Sequence, residues 1–290
     1  MTPAPMTPET RRLRIDLAYD GTDFTGWAVQ PGYRTVQGEL ELWLTRVLRL
    51  PYAAAITCAG RTDAGVHARH QVAHVDLPAG TDPAHVLRRL RRALPADVSV
   101  LDVTPAPPGF HARFSALWRR YVYRMADDVP DPLHRRFVAP VRHRVDVDAF
   151  NTAGATLLGL RDFAPFCRHK AGATTIRTLT DVEARRVDDL LGSRVEVMLR
   201  ADAFCHSMVR SLVGALTAVA TGQRDLDWLA MVAASPRRHY QVHVMAACGL
   251  TLEEVRYPPD AEVAARAEAS RRMRARSELG LEPDEEEDEE

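Results

Sequence analysis

Leu13, Ile15, Leu17 and Tyr19 alternate with Arg14, Asp16 and Ala18, the period of two expected of a half-buried strand. After the turn-rich stretch Asp20 to Gly32 the period changes. Val36, Leu40, Trp43, Leu44 and Val47 fall on one face of a helix that starts near Thr35 and is ended by Pro51. Strands are expected at Ala53 to Ala59 and Gln71 to Leu77, separated by a loop holding Gly60 and Gly65. A second helix begins near Pro83, turning Val86, Leu90 and Leu94 inward and Arg88, Arg89, Arg91 and Arg92 outward. A strand at Val98 to Val103 completes the order β-α-β-β-α-β.

The second half repeats that order without visible sequence repetition. A strand from Trp118 to Met125 precedes a helix from Asp148 to Leu158, and strands Thr178 to Arg186 and Arg194 to Arg200 flank a turn around Gly192. Helices from Ser207 to Ala220 and Leu226 to Ala234 lead to a last strand, Leu250 to Arg256. The expected class is α+β: two ferredoxin-like units sharing one extended antiparallel sheet, with helices on one face and the other face open to a ligand. The expected divisions are a disordered N-terminus at 1–11, an N-terminal unit at 12–112, a C-terminal unit at 113–258 and an acidic tail at 259–290. That tail reads as a frayed helix running into solvated acidic residues.

The net charge of -1 averages two unlike regions. From Asp260 onward there are 12 acidic and 5 basic residues, which leaves 33 basic against 27 acidic in the body. A body of about +6 suits a polyanionic partner. Lys170 is the only lysine, and the arginines that carry the rest offer planar forks to phosphates and bases. Cys58, Cys167, Cys205 and Cys248 form no C-x-x-C pair, which argues against a zinc ribbon or a disulfide framework. The N-terminus lacks the apolar run of a signal peptide, and no stretch approaches the length of a membrane span. A cytoplasmic protein with no membrane association is expected.

Chemistry concentrates in Ala59-Gly60-Arg61-Thr62-Asp63-Ala64-Gly65-Val66-His67-Ala68. Two glycines bracket an arginine and an aspartate between expected strands, so the backbone turns tightly and presents both side chains together. A carboxylate placed there serves as nucleophile or base. Taken alone, such a loop reads more readily as an Asx-turn with a surface ion pair.

The run resembles the signature of the tRNA pseudouridine synthase A family. The resemblance continues through Tyr19-Asp20-Gly21-Thr22, Gly26-Trp27, Arg34-Thr35-Val36-Gln37, Phe110 to Ala116, Arg119 to Tyr123, Asp162-Phe163 and Met208 to Gly214, covering Arg12 to Tyr257. It implies isomerisation of uridine to pseudouridine in the tRNA anticodon stem-loop, at positions 38 to 40, by a cofactor-free homodimer. It implies Asp63 as nucleophile, Arg61 as the residue that orders the loop and helps displace the target base, Tyr121 as the ring against the flipped uracil, and Arg210 as the partner of Asp63. The chemistry agrees with those types. A carboxylate can attack a nucleotide and leave again, an unstacked base needs an aromatic platform, and a cation keeps a desolvated carboxylate ionised. The sequence departs from the family pattern at Phe204-Cys205-His206-Ser207 and across Arg237 to Cys248.

Two other readings use the same chain. A metal-dependent hydrolase would draw on His67, His70 and His74, but alternate strand positions point to opposite faces and no H-E-x-x-H is present. A non-catalytic RNA-binding module would use the exposed arginines. It has no use for a carboxylate at the centre of a positive surface, and the aromatic RNP1 pattern is missing.

Overall fold

The computed structural model describes residues 9–170, 172–189, 192–272, 274 and 276–279. Of the N-terminus at 1–11 and the tail at 259–290, both expected to be disordered, residues 1–8, 273, 275 and 280–290 lie outside the described residues. The chain folds as two units, Met1–Ala116 with Val255–Ala269, and Leu117–Glu254 with Ser270–Glu290.

The first unit runs β1 (Thr10–Tyr19), α1 (Val36–Leu48), β2 (Ile56–Cys58), β3 (His67–Pro78), α2 (Pro83–Ala93) and β4 (Val98–Pro105). β1 lies between β4 and β3, with β2 antiparallel on β3, the arrangement of a split β-α-β unit. Leu13, Ile15 and Leu17 of β1 are fully buried, as are Leu40 and Leu44 of α1 and Val86 and Leu90 of α2. Each such side chain contributes about 1.5–3 kcal/mol through burial. Both helices begin where the sequence places a cap. Thr35 accepts from the Gly38 N–H, and Asp82 accepts from Ala84 and His85. β1 starts earlier than the alternation indicated, because Arg12 faces Asp76 across the strands and pairs with it at 2.7 Å.

The second unit runs β5 (Trp118–Ala126), β6 (Ala139–Pro140), α3 (Val147–Ala155), β7 (Gly159–Asp162), β8 (Ile176–Asp189), β9 (Gly192–Ala201), α4 (Met208–Ala220), α5 (Leu226–Ala233) and β10 (Leu250–Arg256). Its strand order β10-β5-β9-β8 repeats that of the first unit, and β7 extends it by pairing with β8. α3 packs on α4 and β8, so Phe150, Ala153, Leu212 and Leu216 are all fully buried. The mixed α+β class with mostly antiparallel pairing is thus observed. A last helix, α6 (Val263–Arg271), buries Val263 and Ala267, and the Val263 carbonyl accepts the Ser115 hydroxyl in the first unit. Among the described residues no helix is long and apolar enough to cross a membrane.

One cysteine pairing departs from the sequence reading. Cys167 and Cys205 form a disulfide across a separation of 38 residues, with Cα atoms 5.8 Å apart, although their spacing gave no sign of it. It is a single bridge and not a framework.

An ion pair inside the second unit makes stability sensitive to acid. Burial on its own would raise the Asp127 carboxyl, but hydrogen bonds from Arg186 at 2.8 and 2.7 Å, the Val145 N–H and the Arg144 charge outweigh it and hold the group at about 2. A carboxyl depressed in the folded state stabilises above its unfolded value and loses that contribution as the pH falls through the folded one. From about pH 5 to pH 2 the protein should therefore lose about 2 kcal/mol that Asp127→Asn does not. Urea unfolding across that range checks this. Parallel pH profiles for the two proteins would remove Asp127 from the acid response.

Candidate active site

The loop between β2 and β3 owes its shape to the segment Asp20 to Trp27 packed beneath it. Thr62 is buried, its hydroxyl 2.8 Å from the Tyr19 hydroxyl, and its carbonyl accepts the Trp27 N–H at 3.0 Å. Gln71 holds the Gly60 carbonyl at 2.7 Å, and the Ala59 N–H donates to Val72 O at 2.7 Å. Between these anchors the Val66 N–H closes a turn onto Asp63 O, and the Gly65 N–H reaches Phe24 O. Gly65 takes a φ of +76°, open to glycine at little cost.

Two glycines beneath the loop set how closely it approaches. A Cβ on Gly21 would lie 2.0 Å from Val66 O, and one on Gly26, whose φ is +87°, would lie 2.9 Å from Thr62 O. The Asp20-Gly21 and Gly26-Trp27 pairs therefore act as the seat of the Asp63 loop. Asp63 is half-buried in that seat and Arg61 is exposed beside it. Cys58, at the end of β2, is no rival nucleophile. Burial pushes its thiol up to about 12, so the thiolate is absent at neutral pH.

Tyr121 and Arg210 lie in the second unit. Tyr121 sits within β5 opposite Leu199 of β9, buried, with its ring edge-on to Phe204 at 5.2 Å between centroids. The Phe204 segment, which departs from the family pattern in sequence, thus supplies the partner of Tyr121. Arg210 stands in the first turn of α4, half-buried, and its Nε donates to Met245 O at 2.6 Å while the Met245 N–H returns to Arg210 O at 3.3 Å. Gly214, one turn further on, permits this. A Cβ there would lie 2.0 Å from His243 O, so only glycine lets the 243–245 segment run against α4. The segments that seat the loop and the helix turn that carries Arg210 entered the sequence reading only as parts of the family resemblance, with no structural role given them. The glycines at 21, 26 and 214 were the available signal.

The three histidines of the hydrolase reading are engaged separately. His67 Nδ1 accepts the Gly21 N–H at 3.0 Å, which leaves its 3.1 Å approach to Asp20 without ion-pair character in that tautomer. His70 Nε2 is 2.7 Å from Asp16. His74 Nδ1 accepts the Ala112 N–H, and burial, aided by Arg12 and His111, lowers it to about 4, so the ring is neutral at pH 7. Among the described residues no group of three His, Cys, Asp or Glu side chains lies together in a metal-binding cluster.

Comparison with known proteins points one way. Residues 153–258 match the family model described as tRNA pseudouridine synthase. The chain is 63% identical over 270 residues to the tRNA pseudouridine synthase A of Cutibacterium acnes, covering 92% of this chain and 96% of that one. It is 52% identical to the protein of that name from Frankia casuarinae, covering 93% and 97% of the two chains. The Mycobacterium leprae protein of that name is 47% identical, with 95% and 99% covered.

Proposed function

We propose, from the premise that this chain belongs to the tRNA pseudouridine synthase A family and isomerises uridine to pseudouridine in tRNA, that Asp63 is its nucleophile. The observation that carries the assignment is the seat beneath the loop: the residues on both sides of Asp63 are fixed by the Trp27, Phe24 and Tyr19 contacts, so the backbone that carries the carboxylate is set before substrate arrives.

The reaction breaks the bond between uracil N1 and ribose C1′, turns the base, and joins C5 to C1′. Asp63 attacks the nucleotide and is released when the new bond forms. The hydrogen on C5 leaves as a proton, and N1 gains one, so the product is an isomer and neither redox chemistry nor a cofactor is called on. The target base first leaves its stack, at a cost of a few kcal/mol. Arg61, exposed beside Asp63, aids that step, and the Tyr121 ring lies against the extruded uracil. Arg210, held at the start of α4, supplies positive charge to the reaction. The substrate uridines are those of the anticodon stem-loop, at positions 38 to 40, and the enzyme works in the cytoplasm as a homodimer. Sequence identity to the family over nearly the whole chain supports this reading.

Release of tritium from tRNA labelled at uracil C5 follows the reaction directly. Arg210→Ala should slow release about a hundredfold. Arg210→Lys should recover part of the rate by restoring charge. Release by Arg210→Ala at the native rate would take the arginine out of the reaction.

A further inference from the structure

Cys167 and Cys205 are joined, whereas Cys58 and Cys248 remain thiols. Both joined residues belong to the second unit. Cys167 follows the 3-10 turn Ala164–Phe166, donates its N–H to Ala164 O and is buried. Cys205 is half-buried just before α4, and its carbonyl accepts the Met208 N–H. A backbone hydrogen bond aligns the two segments beside the sulfurs, the Arg168 N–H donating to His206 O at 3.0 Å. The Cα separation of 5.8 Å lies within the range that accommodates both dithiol and disulfide without backbone movement.

The surrounding packing needs no staple. Phe163 and Phe166 are 1% exposed and Met208 and Leu212 fully buried, in a chain large enough to fold on its apolar core. A dithiol aligned by its backbone, with Cys167 buried and Cys205 half-buried, is arranged for exchange. An isolated bridge in a chain of this size lies outside the disulfide-rich class of small secreted domains.

We propose that Cys167 and Cys205 form a reversible thiol–disulfide site, modified by low-molecular-weight disulfides of the glutathione class. The Cys205 thiolate attacks one sulfur of the small disulfide, breaking its S–S bond and releasing one small thiolate. The Cys167 thiolate then attacks the Cys205 sulfur and displaces the second. Two cysteine thiols and one small disulfide become one Cys167–Cys205 bond and two small thiols, which take up the two cysteine protons; excess small thiol runs the exchange backwards. The bond pins the segment that leads into α4. Phe204, adjacent to Cys205, is the ring against Tyr121, and Arg210 follows in the first turn of the helix. The site stands on the placement of the two cysteines and does not depend on the catalytic assignment of Asp63.

The test equilibrates the full chain with mixtures of oxidised and reduced glutathione, traps thiols by acid and alkylation, and maps the peptides. The Cys167–Cys205 peptide should grow with the oxidised fraction and disappear in excess reduced glutathione. Amides from Ala203 to His206 should exchange hydrogen at least about tenfold faster in the reduced form. In Cys167→Ser, Cys205 should stop at the mixed disulfide with glutathione, identifying it as the entry sulfur. Four alkylated thiols in excess oxidised glutathione would overturn the proposal, as would a bridge that excess reduced glutathione leaves intact. Equal exchange rates in the two forms would overturn the pinning of the segment.

Discussion

Asp63→Asn should lower turnover by at least about a thousandfold while tRNA affinity stays within a few-fold. Asparagine has nearly the shape of aspartate, and the contacts that fix the loop use the backbone of Asp63 and its neighbours, so the seat survives the change. What is lost is the oxygen nucleophile, and removing a nucleophile costs far more than removing a binding contact. Rates from single-turnover tritium release and affinities from filter binding separate the two effects. Rapid turnover by Asp63→Asn, or a loss of affinity matching the loss of rate, would take Asp63 out of the nucleophile role.

Gly21→Ala should be the most damaging single methyl group in the first unit. Its Cβ would meet Val66 O at 2.0 Å and Val66 C at 2.5 Å, both backbone atoms that cannot swing aside like a side chain. The Asp63 loop must lift off its seat. The expected cost is about 2–4 kcal/mol of stability. Turnover should also fall about a hundredfold in the fraction that remains folded, because a displacement of about 1 Å at the reacting group is enough. Gly80→Ala, with nothing within 4 Å of the added Cβ, is the control and should change neither quantity. Denaturant unfolding and turnover per folded molecule measure both, and a Gly21→Ala protein as stable and active as Gly80→Ala would show that the seat is not needed.

Much of this fold was legible because its strands and helices keep clean periods. The alternation from Leu13 to Tyr19 and the helical spacing of Val36, Leu40 and Leu44 each appear in the structure as residues no more than 5% exposed. Elements without a period were invisible. β7, at Gly159–Asp162, is exposed along most of its length and presents no apolar face to read. β2 is shorter than its apolar run because the Ala54 N–H is taken by the Thr45 hydroxyl of α1, a contact no propensity records. The candidate loop announced itself through Gly60, Gly65 and the charged pair between them. Arg210 was reached only through the family resemblance, because the group that holds its Nε is the Met245 carbonyl, and a backbone acceptor leaves no mark in the sequence. The left-handed backbone of Ser207, with φ at 64°, is equally silent, since such a conformation usually signals itself as glycine. The Cys167–Cys205 pairing was hidden by distance along the chain and became visible only once β8, β9 and α4 had brought the two segments together.

The central claim, that Asp63 isomerises uridines in the anticodon stem-loop, is tested most directly by mapping pseudouridine residue by residue in unmodified tRNA treated with the purified protein or with Asp63→Asn. Pseudouridine at positions 38 to 40 with the native protein, and none with the variant, is the result expected. Pseudouridine formed equally by both proteins, or formed only outside the anticodon stem-loop, would contradict it.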